Sequence, residues 1–133
     1  MLGLLVTGHG RFATGLYSGL EFIAGTHKNV ELIDFEDAHS IEHLKACLNQ
    51  TLDSMKPYDG VLILTDLPGG SPFKQAVQCK LERPEQLIEV VSGTNLPMLV
   101  ACATMSGVFD TPLELAQTML PEGKNGMTFY SEQ

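Results

Sequence analysis

The chain has no tryptophan, and only eight lysines and arginines stand against sixteen aspartates and glutamates. The formal net charge is −8 at pH 7, and no lysine or arginine cluster offsets it. A protein that neutralises nucleic-acid phosphates needs such a cluster, so no nucleic-acid partner is expected. The three cysteines, Cys47, Cys79 and Cys102, are odd in number and far apart. They read as small buried residues in a reducing compartment, not as a disulfide framework. No apolar run approaches the roughly 20 residues that cross a bilayer. The first residues lack a basic segment and are interrupted at His9, which excludes a signal peptide. A cytoplasmic location is therefore expected. Gly3, Gly8 and Gly10 do not fall into G-x-G-x-x-G, and no acidic residue stands where a ribose would be held, which excludes a dinucleotide fingerprint. The Gly70-Ser71-Pro72 triplet lacks the frame of a hydrolase nucleophile elbow. Linkers, low-complexity tracts and internal repeats are missing as well.

What remains is an ordinary globular composition. With 133 residues, 44% apolar and 18% charged, the chain fits one domain, residues 1–133, large enough to need no metal or disulfide staple. Residues 2–6 form a short continuous apolar run, as expected of a strand covered on both faces. Phe12, Leu16, Leu20 and Ile23 then recur at helical spacing. Gly15 and Gly19 weaken that helix intrinsically, and close packing on the sheet is one reading of them. Residues 30–35 read as a second strand. Ser40 is placed as the N-cap of a helix carrying Ile41, Leu44, Leu48, Leu52 and Met55, which Pro57 stops. Residues 60–65 are a third strand. Ser71 as N-cap and Pro72 in first helical position open a helix with Phe73, Ala76 and Val77 inward, ending before Pro84. Residues 87–91 are a fourth strand, and Pro97 opens a helix to about Met105. Thr111 caps a last helix over 112–120, with Leu113, Ala116 and Leu120 inward and Gly123 ending it. Residues 127–130 are a short final strand candidate.

Strand and helix alternate throughout, which argues an α/β fold: an open, mainly parallel sheet with right-handed crossovers and helices on both faces. In the common order 2-1-3-4 the switch point lies between the first and third strands, and ligands bind beyond the strand ends there. His9 leaves the first strand and Asp66 leaves the third, so the two converge. Between the third strand and its helix lies Thr65-Asp-Leu-Pro-Gly-Gly-Ser-Pro-Phe73. Gly69 and Gly70 allow a sharp turn with N–H groups close to a ligand, and with Ser71 at a helix N-terminus they form a candidate phosphate-binding turn. The residues alone leave other readings open. A single histidine after a strand is often merely solvated, Asp66 alone can cap its own turn, and Gly-Gly alone can be a plain turn. His39 and His43, four apart, are a weaker candidate for zinc together with Asp34, Asp37 or His9. The polar loop at 36–39 and the turn at 92–95 are placed on the rim.

Three stretches carry a resemblance to a known family: Val6-Thr-Gly-His-Gly10, Leu64-Thr-Asp-Leu-Pro-Gly-Gly-Ser-Pro-Phe73 and Ser92-Gly-Thr-Asn-Leu-Pro-Met-Leu99. In order and spacing the chain resembles the IIA component of the mannose-family sugar phosphotransferase system. The resemblance implies that His9 is the phosphorylated histidine, Asp66 its partner carboxylate, and Gly69, Gly70 and Ser71 the turn beside the phosphoryl group. It implies a histidine phosphocarrier protein as donor and a IIB component as acceptor, with indirect association to membrane IIC and IID components. It also implies a homodimer in which an antiparallel C-terminal strand is exchanged. Leu67 and Pro68 depart from the pattern of some members, which bears on the shape of the rim. With no extension after Gln133, a separate IIB chain is expected. Neither a metal nor a cofactor is called for, since the donor is itself a phosphohistidine. The competing class is a regulatory module that binds a small anion without covalent chemistry.

Overall fold

The computed structural model describes residues 1–132. Four strands, β1 (Gly3–His9), β2 (Val30–Phe35), β3 (Val61–Thr65) and β4 (Ile88–Val91), form one sheet in the order β2-β1-β3-β4. Every pairing is parallel. The helices are α1 (Phe12–Ala24), α2 (Ile41–Ser54), α3 (Ser71–Glu82), α4 (Leu96–Met105) and α5 (Pro112–Asn125). The expected α/β architecture and strand order are thus observed.

Side-chain alternation along the strands divides the core in two. Leu4 and Val6 of β1, with Leu62 and Leu64 of β3, face α1, α4 and α5. Leu5 of β1, with Val61 and Ile63 of β3, faces Leu44, Leu48 and Leu52 of α2 and Ala76 and Cys79 of α3. Because both faces are covered, β1 and β3 are apolar without alternation, and this made them legible as buried runs.

Several local expectations are corrected. Strand β1 runs on to His9, so the histidine ends the strand instead of following it. The cap of α3 is Gly70, not Ser71, which is the first helical residue. Helix α4 begins at Leu96, one residue before the expected start, with Asn95 as its cap accepting from the Met98 N–H. Helix α5 continues through Pro121 and Gly123 to Asn125. Its inward face is Pro112, Leu115 and Met119, while Leu113 and Leu120 point outward. One source of that error is Pro112, which lies against Gly60 and so fixes the phase of the helix. Ile23 is exposed on α1, where Ala13 and Leu20 are the buried positions. Gly19 accommodates Leu96 of α4, not the sheet, and Gly15 meets nothing. Residues 127–130 form no strand in the single chain, and Met127, Phe129 and Tyr130 are all exposed. The Ser40 cap on α2 is observed, accepting from His43 N–H at 3.0 Å.

Candidate active site at the ends of β1 and β3

Because β1 and β3 are adjacent and in register, their ends bring His9 and Asp66 together. The backbone N–H of His9 donates to Asp66 Oδ2 at 2.8 Å, and its ring Nδ1 lies 2.9 Å from the same oxygen. Asp66 Oδ1 accepts from the Leu67 N–H at 2.8 Å. Burial pushes the carboxyl's pKa up, but the bonds from the His9 backbone and ring, the Leu67 N–H and the charge of the ring outweigh it and hold the group below its ordinary range. The carboxylate is therefore ionised near neutrality and its oxygens only accept. In the neutral imidazole the proton between the residues then belongs to Nδ1, and Nε2 carries the free lone pair. The Asp66 side chain is only 13% exposed, against 44% for His9. The structure thus seats the carboxylate against the imidazole, more deeply than the ring itself.

The backbone around the pair is shaped to admit it. A Cβ at residue 8 would fall 2.8 Å from Asp66 Cγ and 2.5 Å from Phe12 Cδ2, so only glycine leaves room for the carboxylate. Gly69 adopts φ +78°, which turns the chain into α3. Gly70 then lies flat against the histidine: a Cβ there would stand 2.7 Å from Cε1 and 3.4 Å from Nε2. The α3 N-terminus has no side-chain cap, Pro72 has no N–H to offer and Gly70 N–H donates to Leu67 O at 3.4 Å, which leaves the N–H groups of Ser71 and Phe73 uncapped in the first turn. On the opposite side the Phe35 ring meets the His9 ring edge-on at 6.1 Å, and Gly10 N–H donates to Phe35 O at 2.7 Å.

The turn at 92–95 serves as a buttress. Gly93 N–H donates to Asp66 O at 2.9 Å and Thr94 N–H to Thr65 O at 3.0 Å, which fixes the strand end that carries the carboxylate. Sequence reasoning named Gly8 only as a neighbour of His9, and it did not find the contacts of Phe35 or the Arg11–Glu36 ion pair at 3.2 Å. The one available signal was that two glycines bracket the histidine.

The weaker histidine pair is not assembled into a metal centre. His39 and His43 stack with centroids 4.5 Å apart. His39 Nδ1 accepts the Glu36 N–H, so a neutral His39 keeps its proton on Nε2 and offers no lone pair there. Asp34 is engaged with the α1 N-terminus through Thr14 N–H and Oγ1, and His9 is engaged with Asp66. Among the described residues no three His, Cys, Asp or Glu side chains are grouped to hold a metal ion.

This fold corresponds to a known class. The EIIA-man family model, described as the fructose IIA component of the phosphotransferase system, matches residues 3–119. The chain belongs to that family of phosphotransferase-system IIA components. It is similar to the mannose-specific EIIAB component of Escherichia coli strain K12, with 32% identity over 128 residues. That match covers 95% of this chain but 38% of the relative, so the chain spans under two fifths of its length. It is 29% identical over 100 residues to the fructose-specific EIIA component of Bacillus subtilis strain 168, covering 75% of this chain and 67% of that one. Among solved structures, the EIIA component of Streptococcus agalactiae superposes with a TM-score of 0.91 at 29% identity, covering 97% of both chains. No helix among the described residues is long and apolar enough to cross a membrane.

Proposed function

We propose that the protein is a phosphoryl carrier in sugar uptake, accepting a phosphoryl group on His9 Nε2 from a histidine phosphocarrier protein and passing it to a IIB component. The observation that carries this is the bond from His9 Nδ1 to Asp66 Oδ2, which frees Nε2 as nucleophile beside Gly70. In the forward step the Nε2 lone pair attacks phosphorus of the donor phosphohistidine. The new N–P bond forms as the donor's N–P bond breaks, and that electron pair returns to the donor ring. Asp66 keeps the Nδ1 proton in place and balances the positive charge that develops on the imidazole. The amides around Gly69, Gly70 and Ser71 receive the phosphoryl oxygens. A IIB nucleophile then repeats the attack from outside, on a site open to a partner because His9 is half-exposed. Neither a metal nor a cofactor enters this scheme.

Dimerisation belongs to the same reading. Among the described residues strand β4 is bonded only to β3, which leaves one of its edges open, and the apolar segment 127–130 joins no strand of the single chain. Exchange of this segment between copies would cover both. Association with membrane components would be indirect, through IIB.

Incubating the protein with the phosphorylated carrier should add one acid-labile phosphoryl group. His9→Ala should abolish it, and His39→Ala and His43→Ala should not. Labelling that persists in His9→Ala overturns the assignment of His9. Tight binding of inorganic phosphate without any transfer would instead favour the anion-binding module.

A further inference from the structure

The cations of the chain are few, eight in all, and half of them are committed to ion pairs on other elements. Lys45, Lys56, Lys80 and Arg83 pair with carboxylates of the helices and of β4. Lys74 lies in the first turn of α3, and Arg11 is the cation nearest to His9 in sequence. It follows His9 by two residues, across Gly10 at φ +60°, and stands at the N-cap of α1. Its side chain is 83% exposed, and its Nε donates to Glu36 Oε1 at 3.2 Å. Glu36 directly follows Phe35, whose ring abuts the His9 ring. The ion pair therefore lies on the rim of the histidine, and the backbone of Glu36 is held on both sides. His39 N–H donates to Glu36 O at 2.9 Å, and Glu36 N–H donates to His39 Nδ1 at 3.1 Å.

Resting on the reading of His9 as phosphoryl carrier, we infer that Arg11 is a positioning residue for the phosphorylated state, held by Glu36 until a phosphoryl group arrives and then released to it. An arginine fork suits two phosphoryl oxygens better than one exposed carboxylate, and a dianion attracts it more strongly than a monoanion. An exposed Arg–Glu pair is worth little by itself, so exchanging it is inexpensive. Glu36 has a second effect once the arginine leaves: its charge then repels the dianion, and this sets an upper limit on how long the phosphoryl group is retained. The pair thus tunes the balance between taking the group from the donor and giving it up. The site geometry of Asp66 and Gly70 performs the chemistry in either case.

The two ways of breaking the pair have opposite expected consequences. Arg11→Gln removes the attracting charge and leaves the repelling one. Its phosphorylated fraction at equilibrium with the carrier protein should fall about threefold to tenfold. Glu36→Gln frees the arginine and should raise that fraction, with Arg11→Lys intermediate between wild type and Arg11→Gln. The fraction is read by 31P NMR of mixtures with a fixed ratio of phosphorylated to free carrier, with thermal melts confirming that each variant is folded. If the ion pair merely braces the loop, both glutamine variants will move in the same direction or not at all, and the inference fails. A wild-type protein that takes no label on His9 would instead refute the carrier reading beneath it.

Discussion

One oxygen of Asp66, Oδ2, accepts both the backbone N–H and the ring Nδ1–H of His9, while Oδ1 accepts from Leu67. Three N–H groups thus converge on one carboxylate, and the orientation of the histidine follows from a group that is also a structural cap. Asp66→Asn must turn an amide NH2 toward at least one of these donors. In a serine-protease triad the equivalent swap costs about 10⁴ in rate by fixing the wrong tautomer. Here the imidazole is itself the nucleophile and the donor is highly activated, so the loss in His9 phosphorylation rate should be on the order of 10²–10³ by analogy with that case. Because the carboxylate is largely buried, the variant should also lose about 1–3 kcal/mol of stability while keeping its fold. Rapid-quench phosphorylation and urea unfolding measure the two effects, and a near-normal rate would remove Asp66 from the mechanism.

The same bonds set an acid limit. The folded-state pKa of Asp66 lies below its ordinary value of 3.8. A depressed carboxylate contributes stability that is fully present above the unfolded value and is lost as pH falls through the folded one. Unfolding free energy should therefore decline from about pH 4 downwards, more steeply in wild type than in Asp66→Asn. Parallel curves for the two proteins across this range would contradict the assignment.

The C-terminal segment yields an assembly prediction. Helix α5 closes with Gly126 packed on Pro97, where a Cβ would fall 2.6 Å from the proline ring. Removing the residues after Gly126 keeps this contact between α5 and Pro97. It should convert a dimer to a monomer, or to aggregates that exploit the open edge of β4. Sedimentation of the deleted form at micromolar concentration reads this directly, and an unchanged stable dimer would rule out strand exchange as the basis of assembly.

The architecture was legible because β1 and β3 are apolar on both faces and because α2 carries its leucines in strict phase over Leu44, Leu48 and Leu52. The phase of α5 was not legible, because Leu113 and Leu120 satisfy helical spacing as well as Leu115 and Met119 do, and only the seat of Pro112 against Gly60 decides between them. The pairing of His9 with Asp66 followed from strand order alone. The burial of the carboxylate did not, since it depends on the missing side chain at Gly8. Likewise, the cap of α1 comes from Asp34 across the sheet, a contact between residues 20 apart that no local pattern announces.

The two glycines that frame the site allow its geometry to be tested without altering any reacting group. In Gly8→Ala the new methyl meets the Asp66 carboxylate and the Phe12 ring, so the carboxylate must move away from the imidazole. In Gly70→Ala the methyl meets Cε1, so the ring must move away from α3. Gly70 has φ −73°, where alanine is unstrained, and at a helix N-cap the change should cost about 1 kcal/mol or less. A displacement of this kind at a reacting centre can cost about 10² in rate, and a loss of that order is expected in both variants. Gly15→Ala is the control. It lies on the exposed face of α1 with nothing within 4 Å of its Cβ position, so it should stabilise the protein by about 0.5–1 kcal/mol and leave the rate unchanged. If Gly70→Ala phosphorylates as fast as Gly15→Ala, then the close approach of α3 to His9 contributes nothing to transfer, and the phosphoryl oxygens must be received elsewhere.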